Sequence, residues 1–390
     1  MPHAAGPPKT AEVAIVGGGI IGLSIAYHLG RLGVRAAVIE RNHVGEGSTA
    51  KSSGGIRRLF STEPALRLAV ESVRLWERVE EETGTNIDWH RVGYLLTARS
   101  PTHHETLEGA WRLQQRWGVP SAILSPDEVR RLVPTLSADD VRAGLYCAND
   151  GYAGPYEAVR AFRAGALRLG ATIIEDCDVL GVRLGNGRVR GLETSRGAVE
   201  APTVVNAAGV WAPLVSRMVG VEIPISMYRR HQWIVQTADP PASIPCIIDM
   251  DSTLFVRPEG DKYLVGIGGE QPTTTYETTI DPEAFVPVAE LIVRRFPSFQ
   301  SARLVQTYAG LTQETPDRHP VLGPAGPPGY IVAAGFSQGF MHAPAAGNMI
   351  AEYIATGICA TVSMEPYRLS RFAQRESERN GLAPGDWETH

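Results

Sequence analysis

The chain has little of several things that would have declared its chemistry at once. Only four cysteines occur in 390 residues, Cys147, Cys177, Cys246 and Cys359, with no C-x-x-C pair and no metal-ligand spacing. That scarcity argues against a disulfide framework or a thiolate-held metal, and predicts reduced, buried thiols in a cytoplasmic protein. Charge of one sign is also lacking. With 37 basic and 42 acidic residues the net charge is -5, which gives no reason to expect nucleic acid or an anionic membrane as partner. No apolar run has the length and continuity of a transmembrane helix, and no internal repeat or low-complexity block occurs. No catalytic triad, metal cluster or pair of acids stands out. A length of 390 residues exceeds the usual single core, so two intimately connected domains are expected.

What is present begins at Glu12–Glu40, EVAIVGGGIIGLSIAYHLGRLGVRAAVIE. Val13 to Val16 read as a buried strand, Ile20 to Arg31 as an amphipathic helix, and Arg35 to Ile39 as a second strand ending on Glu40. Gly17, Gly19 and Gly22 set the G-x-G-x-x-G spacing of a dinucleotide site. Gly17 would make the tight turn, Gly19 would let backbone approach a pyrophosphate, and Gly22 would let helix pack on strand. The helix N-terminus offers N–H groups to the phosphate, and Glu40 is placed to accept from an adenosine ribose. A signal peptide or membrane span over residues 13–29 is disfavoured by the clustered glycines, His28 and the lack of a basic leader. Simple packing in a βαβ unit explains Gly22 but not Gly17 or Gly19.

Met1 to Thr10, with three prolines, reads as a disordered lead-in. Arg41 to Gly55, RNHVGEGSTAKSSGG, has the small polar residues of a cofactor-wrapping loop or of a plain surface loop. Arg57 and Arg58 follow it, before a helix expected over Glu63–Thr83; either could bind a carboxylate or pair at the surface. Further expectations are a strand over Trp89–Thr97, helices over Glu105–Trp117, Ser125–Leu132 and Pro155–Leu169, and a strand over Ala171–Glu175. A hairpin should turn at Gly185-Asn186-Gly187. Thr203–Asn206 returns as a buried strand before the small-residue turn Ala207-Ala208-Gly209 and a helix from Trp211. From Ile223 to Leu311 the texture is strand-rich, at His231–Gln236, Leu254–Arg257, Tyr263–Ile267 and Arg303–Leu311, with a helix around Pro282–Arg295. Tyr330–Gly335 then repeats the strand and glycine turn, with a helix over Ala343–Thr356. The fold class is therefore α/β plus α+β: a Rossmann-like nucleotide-binding domain over 11–88, 150–222 and 312–380, and an antiparallel-sheet substrate domain over 89–149 and 223–311.

Besides the fingerprint, Ser52-Ser53-Gly54-Gly55-Ile56-Arg57, Asn206-Ala207-Ala208-Gly209-Val210-Trp211, Thr315-Pro316-Asp317-Arg318-His319-Pro320 and Gly335-Phe336-Ser337-Gln338-Gly339-Phe340 stand out. With these motifs, over nearly its whole length, the chain resembles the flavin-dependent amine oxidoreductases of the D-amino acid oxidase, glycine oxidase and sarcosine oxidase superfamily. The SGGIRRLFSTE segment looks most like the β subunits of proline and hydroxyproline dehydrogenases. The resemblance implies an FAD-binding domain, with FAD extended between the domains. It would rest on Gly17, Gly19, Ile20, Ile21, Gly22, Glu40, Arg41, Ser48, Thr49, Ser52, Ser53, Gly54, Gly55, Ile56 and Val179. Ala207, Ala208, Gly209, Trp211, Gly310, Gly335, Phe336, Ser337, Gln338, Gly339, Phe340 and Met341 would complete the site. It also implies hydride transfer from the carbon beside a small amine's nitrogen to the flavin, giving an imine.

Arg57 matches an arginine that holds the substrate carboxylate in sarcosine oxidases. Three positions depart from that pattern. Gly310 stands where those oxidases carry a flavin-attached cysteine, so FAD should be noncovalent. Leu264 replaces a lysine that assists reaction with oxygen, with Lys262 two residues earlier, which tilts the expected acceptor from oxygen toward another electron acceptor or a partner subunit. Met341 replaces a second carboxylate-binding lysine. Tyr228, Arg257 and Gln313 are further substrate-binding candidates, and His231 a candidate base. Asp317 and His319 are expected to stabilise a turn, and His342 to touch flavin through backbone. The rival readings are a flavin-dependent 2-hydroxy acid dehydrogenase, which would need His231 as base, a noncatalytic flavin-binding subunit, and a dehydrogenase using NAD alone.

Overall fold

The computed structural model describes residues 7–238, 243–269 and 271–376. Among them, six strands form a sheet in the order Val321–Pro324, Tyr330–Ala334, Thr203–Asn206, Val13–Val16, Ala36–Ile39 and Thr172–Ile174. All neighbours run parallel except Val321–Pro324 against Tyr330–Ala334. The fingerprint strand lies inside this sheet, with Val13 opposite both Ala36 and Thr203. Its apolar run is continuous because both faces are covered. Val13 and Ile15 pack under the helices Ile20–Arg31, Glu63–Thr83, Pro155–Arg168 and Gly339–Thr356. Ala14 and Val16 face a three-stranded antiparallel sheet, Val179–Gly185, Arg188–Thr194 and Gly197–Glu200. Its first hairpin turns where expected, with Asn186 at φ 53° and Gly187 at φ 74°, the positive pair that a two-residue type I′ turn requires.

A second sheet has nine strands among the described residues. Arg303–Glu314 pairs along Ser226–Gln236, which pairs on its other edge with Pro272–Thr273 and Lys262–Ile267. Leu254–Glu259, Cys246–Asp249, Tyr94–Ala98, Ala143–Cys147 and Ser121–Leu124 follow in order. It is antiparallel except that Cys246–Asp249 runs parallel to Tyr94–Ala98. Helix Pro101–Arg116 packs on one face, through Leu107 and Ala110 beside Leu96, and helix Phe285–Arg295 on the other, through Val288 and Ile292 beside Leu95.

Several sequence expectations need correction. The lead-in holds structure by residue 9, because Lys9 accepts from the Glu200 N–H and Ala11 donates to the Glu200 carbonyl; residues 1–6 lie outside the described residues. The strand expected over Trp89–Thr97 starts at Tyr94, since Asp88 (φ 54°) and Gly93 (φ 86°) break the extended run before it. The helix expected from Glu105 starts at Pro101, capped by the Ser100 side chain accepting from the His103 N–H. The last helix starts at Gly339 and carries Pro344 inside it. The strand expected to end at Leu311 runs on to Glu314, past the boundary drawn at 312.

Candidate functional site

The parallel strands end at one cavity, and the first of them shows how its nucleotide end is cut. Gly17 turns with φ 105°, and a Cβ there would lie 2.5 Å from the Ala207 carbonyl oxygen. A Cβ on Gly22 would lie 2.0 Å from the Gly17 carbonyl oxygen. One on Gly19 would meet nothing nearer than Thr49 Oγ1 at 3.4 Å. The first two glycines thus serve the fold, and the third leaves the cavity empty of side chain. Gly19 caps helix Ile20–Arg31 without a side-chain bond, and no acid stands in the first turn; the Ile20 N–H donates to Thr49 Oγ1 at 3.2 Å, and the dipole and the other first-turn N–H groups remain for an anion. Glu40 accepts from the Gly18 N–H at 2.7 Å and the Asn42 N–H at 2.9 Å, which leaves lone pairs for two ribose hydroxyls. Arg41 and Trp211 line the same end, with the guanidinium 4.4 Å from the indole and Tyr276 stacked on Trp211 at 5.6 Å.

Most expected cofactor residues meet around this cavity. Gly17, Gly19, Ile20, Ile21, Glu40, Arg41, Val179, Ala207, Ala208, Gly209 and Trp211 line it, as do Ser48, Thr49, Ser52, Ser53 and Gly55. Gly310, Phe336, Ser337, Gln338, Gly339, Phe340 and Met341 close the other side. Gly22, Gly54, Ile56 and Gly335 stand behind the wall: a Cβ on Gly54 would lie 2.1 Å from the Ala153 carbonyl oxygen, and one on Gly335 2.6 Å from Thr315. Gly310 has no room either, because a Cβ there would lie 2.4 Å from Lys51 Cβ. The carved cradle, the positive end of the helix and the terminal acid fit an extended flavin dinucleotide, which these residues would hold.

The substrate-side expectations fare differently. Arg57 is fully buried and off the cavity wall. It donates to the Leu59 carbonyl, and its guanidinium lies 4.3 Å from the Phe60 ring. Arg257 is likewise buried behind the wall. It donates to the Ser53 carbonyl at 2.8 Å, pairs with Glu259 at 2.5 Å and stacks on Tyr152 at 4.1 Å, so it ties the cofactor loop to the second sheet. Tyr228 carries the Arg230 guanidinium at 5.4 Å and does not reach the cavity, whereas Gln313 does, its Oε1 accepting from the Gly335 N–H at 3.0 Å. His231 lines the cavity, but its Nε2 accepts from the Asp281 N–H at 3.1 Å. In a neutral ring so bonded the proton sits on Nδ1 and the Nε2 lone pair is engaged by Asp281.

Asp317 serves the turn, accepting from Thr315 and the His319 N–H and pairing with Arg371 at 2.9 Å. His342 lies buried against Phe60, and burial, with Arg57 nearby, pulls its pKa down to about 3. Leu264 is buried in the second core rather than on the wall. The sequence reading missed Lys51, Tyr94, Phe255, Arg230, Gln232, Gly266 and Thr312, all of which line the cavity. Alternation within their strands could show which share a face, but not which face meets a ligand.

Comparisons with known proteins agree with this geometry. The chain is 31% identical over 383 residues to human mitochondrial sarcosine dehydrogenase, covering 94% of this chain and 42% of that protein. It is 28% identical over 379 residues to mitochondrial dimethylglycine dehydrogenase of Mus musculus, covering 90% and 44%. The chain thus spans less than half the length of these curated relatives. The crystal structure of L-proline dehydrogenase from P. horikoshii superposes with a TM-score of 0.89 at 32% identity, covering 94% of this chain and 99% of that one. Residues 12–353 match the family described as FAD dependent oxidoreductase (DAO). The chain belongs to that FAD-dependent oxidoreductase family.

Proposed function

We propose that the chain oxidises a small secondary or primary amine bearing a carboxylate, proline-like or N-methylated, to the imine. The observation that carries this is the continuity of one cavity from Glu40 to the aromatic wall formed by Tyr94 and Phe255 of the second sheet. FAD held there supplies an acceptor for the hydride leaving the carbon beside nitrogen. The chain's own contribution is then to bind, orient and dry that carbon. Phe255, Tyr94, Gly266 and Met341 line the far end with mostly apolar surface. The relatives whose names specify sarcosine, dimethylglycine and L-proline share one substrate chemistry, a small N-alkylated amino acid.

We further read the flavin as noncovalent, since Lys51 fills the space a side chain at position 310 would need. Buried Leu264 supports a dehydrogenase, delivering electrons to an acceptor or partner subunit other than oxygen. The two-domain division proposed from sequence is supported by the separate sheets, with the join after Glu314. A reducing, cytoplasmic setting suits the four free cysteines; among the described residues no helix is long and apolar enough to cross a membrane. A 2-hydroxy acid reading would need a base, and its candidate, His231, has its Nε2 engaged by the Asp281 N–H. Anaerobic mixing of the yellow protein with L-proline, sarcosine, dimethylglycine and lactate is the test. Bleaching by an amino acid is expected; bleaching by lactate alone, or by nothing, defeats the proposal. Rapid reoxidation by oxygen with stoichiometric peroxide would defeat the dehydrogenase reading.

A further inference from the structure

The far end of the cavity holds a polar group that neither the motifs nor the family description assigns. Tyr94 is 2% exposed, lines the cavity and stacks on Phe255 with ring centroids 6.3 Å apart. Its strand is central, so Cys246 stands opposite it on one side and Cys147 on the other. Burial pushes both thiols up to about 12, so both stay protonated and neutral. Among the described residues no hydrogen bond reaches the Tyr94 hydroxyl. A buried phenol normally finds a partner, because desolvating an unpaired hydroxyl is costly.

The hydroxyl sits where a ligand would meet it. A Cβ built on Gly55 would lie 3.2 Å from Tyr94 Oη and 3.7 Å from Met341 Cε, and both Gly55 and Met341 line the cavity. A residue larger than glycine at 55 would crowd the hydroxyl. Two buried cations act on this phenol, with buried Asp150 acting the opposite way. Arg57, fully buried, has its guanidinium 5.7 Å from the Tyr94 ring, and Arg257 acts on the same phenol from behind. Neither guanidinium lines the cavity, so neither presents a donor to its contents. Burial holds the phenol far above its ordinary pKa despite these cations, so it remains an O–H donor.

We propose that the Tyr94 hydroxyl is the donor that receives the substrate's carboxylate, with the charges of Arg57 and Arg257 felt through it rather than by contact. This rests on the amine-oxidation reading above for the identity of the substrate. It explains how a pocket with Met341 in place of a lysine, and with its matched arginine buried, can hold an anionic group. A hydrogen bond to a charged group contributes about 10- to 100-fold in affinity.

The test uses the FAD-loaded full chain and two ligands without an oxidisable amine, tetrahydrofuran-2-carboxylate and its neutral carboxamide, followed by perturbation of the flavin absorbance. Tyr94→Phe removes only the oxygen and keeps the ring on Phe255. Carboxylate affinity is expected to fall about 10- to 100-fold, with carboxamide and FAD affinities unchanged. Equal effects on both ligands, no effect, or a wild-type protein that binds no carboxylate overturns the proposal. A change in FAD affinity or in the ligand-free flavin spectrum also overturns it, since the hydroxyl would then serve the cofactor. Failure of the amine reading looks different: no amino acid bleaches the wild-type flavin, yet the carboxylate still binds and still weakens in Tyr94→Phe.

Discussion

Adding one methyl group at Gly17, Gly19 or Gly22 separates what the fold needs from what the ligand needs. Gly17→Ala and Gly22→Ala place carbon 2.5 and 2.0 Å from backbone oxygens that cannot move without shifting the sheet. Each should lower stability by about 1–3 kcal/mol, read as a fall in Tm with or without FAD. Gly19→Ala has 3.4 Å to its nearest neighbour, so Tm of the FAD-free protein should stay near wild type while FAD affinity falls, read by titration of flavin fluorescence. Gly310→Cys should gain no covalent flavin on a denaturing gel, because Lys51 fills the space its side chain would take. The packing roles of Gly17 and Gly22 were legible in the spacing alone. The roles of Arg57 and Tyr94 were not, since an arginine after a glycine loop and a tyrosine in an apolar strand carry no sign of which one faces a ligand.

Between elements, two carboxylates do the joining, Asp150 buried and Asp251 partly exposed. Asp150 is fully buried and takes the Arg58 backbone N–H and Nε, both at 2.8 Å, which fastens the end of the cofactor loop to the turn before Gly151–Tyr152. Asp150→Ala should cost about 3–5 kcal/mol in denaturant unfolding, by leaving the guanidinium without its counter-charge. Asp251 links the end of strand Cys246–Asp249 to the start of helix Pro101–Arg116. Burial alone would raise its pKa, but the Arg99 N–H, His103 and Ser100 outweigh that and hold it down at about 2. A depressed carboxylate stabilises fully above its unfolded pKa and loses that contribution as pH falls through the folded value. The stability gap between wild type and Asp251→Asn should therefore shrink as pH falls from about 4 toward 2, measured by urea unfolding. Strongly periodic or well-capped elements, such as Glu63–Thr83 and Pro126–Leu132, were readable from sequence. Cys246–Asp249 and Ser121–Leu124 were not, because four-residue strands gain their identity from neighbours distant in the chain.

For the whole molecule, the cavity draws its wall from residues spread between Val16 and Met341, so ligand and fold should be thermodynamically coupled. FAD at a hundred times its Kd should stabilise the chain by about 2.7 kcal/mol, seen as a rise in Tm that flattens in any variant that no longer binds it. The α/β character and the return of the chain to its first sheet were legible because buried parallel strands read as bare apolar runs before glycine turns. The parallel pair inside the second sheet was not, because it depends on a crossover that no local pattern encodes. The strand that opens the chain has Thr203–Asn206 as one neighbour, which in turn rests on Tyr330–Ala334. A nascent polypeptide therefore carries its nucleotide fingerprint, unable to complete a cofactor site, until the stretch through Met341 has also emerged. Flavin loading has to wait for residue 341, and any holding of the fingerprint by chaperones would have to last while the residues between Gly19 and Met341 are made.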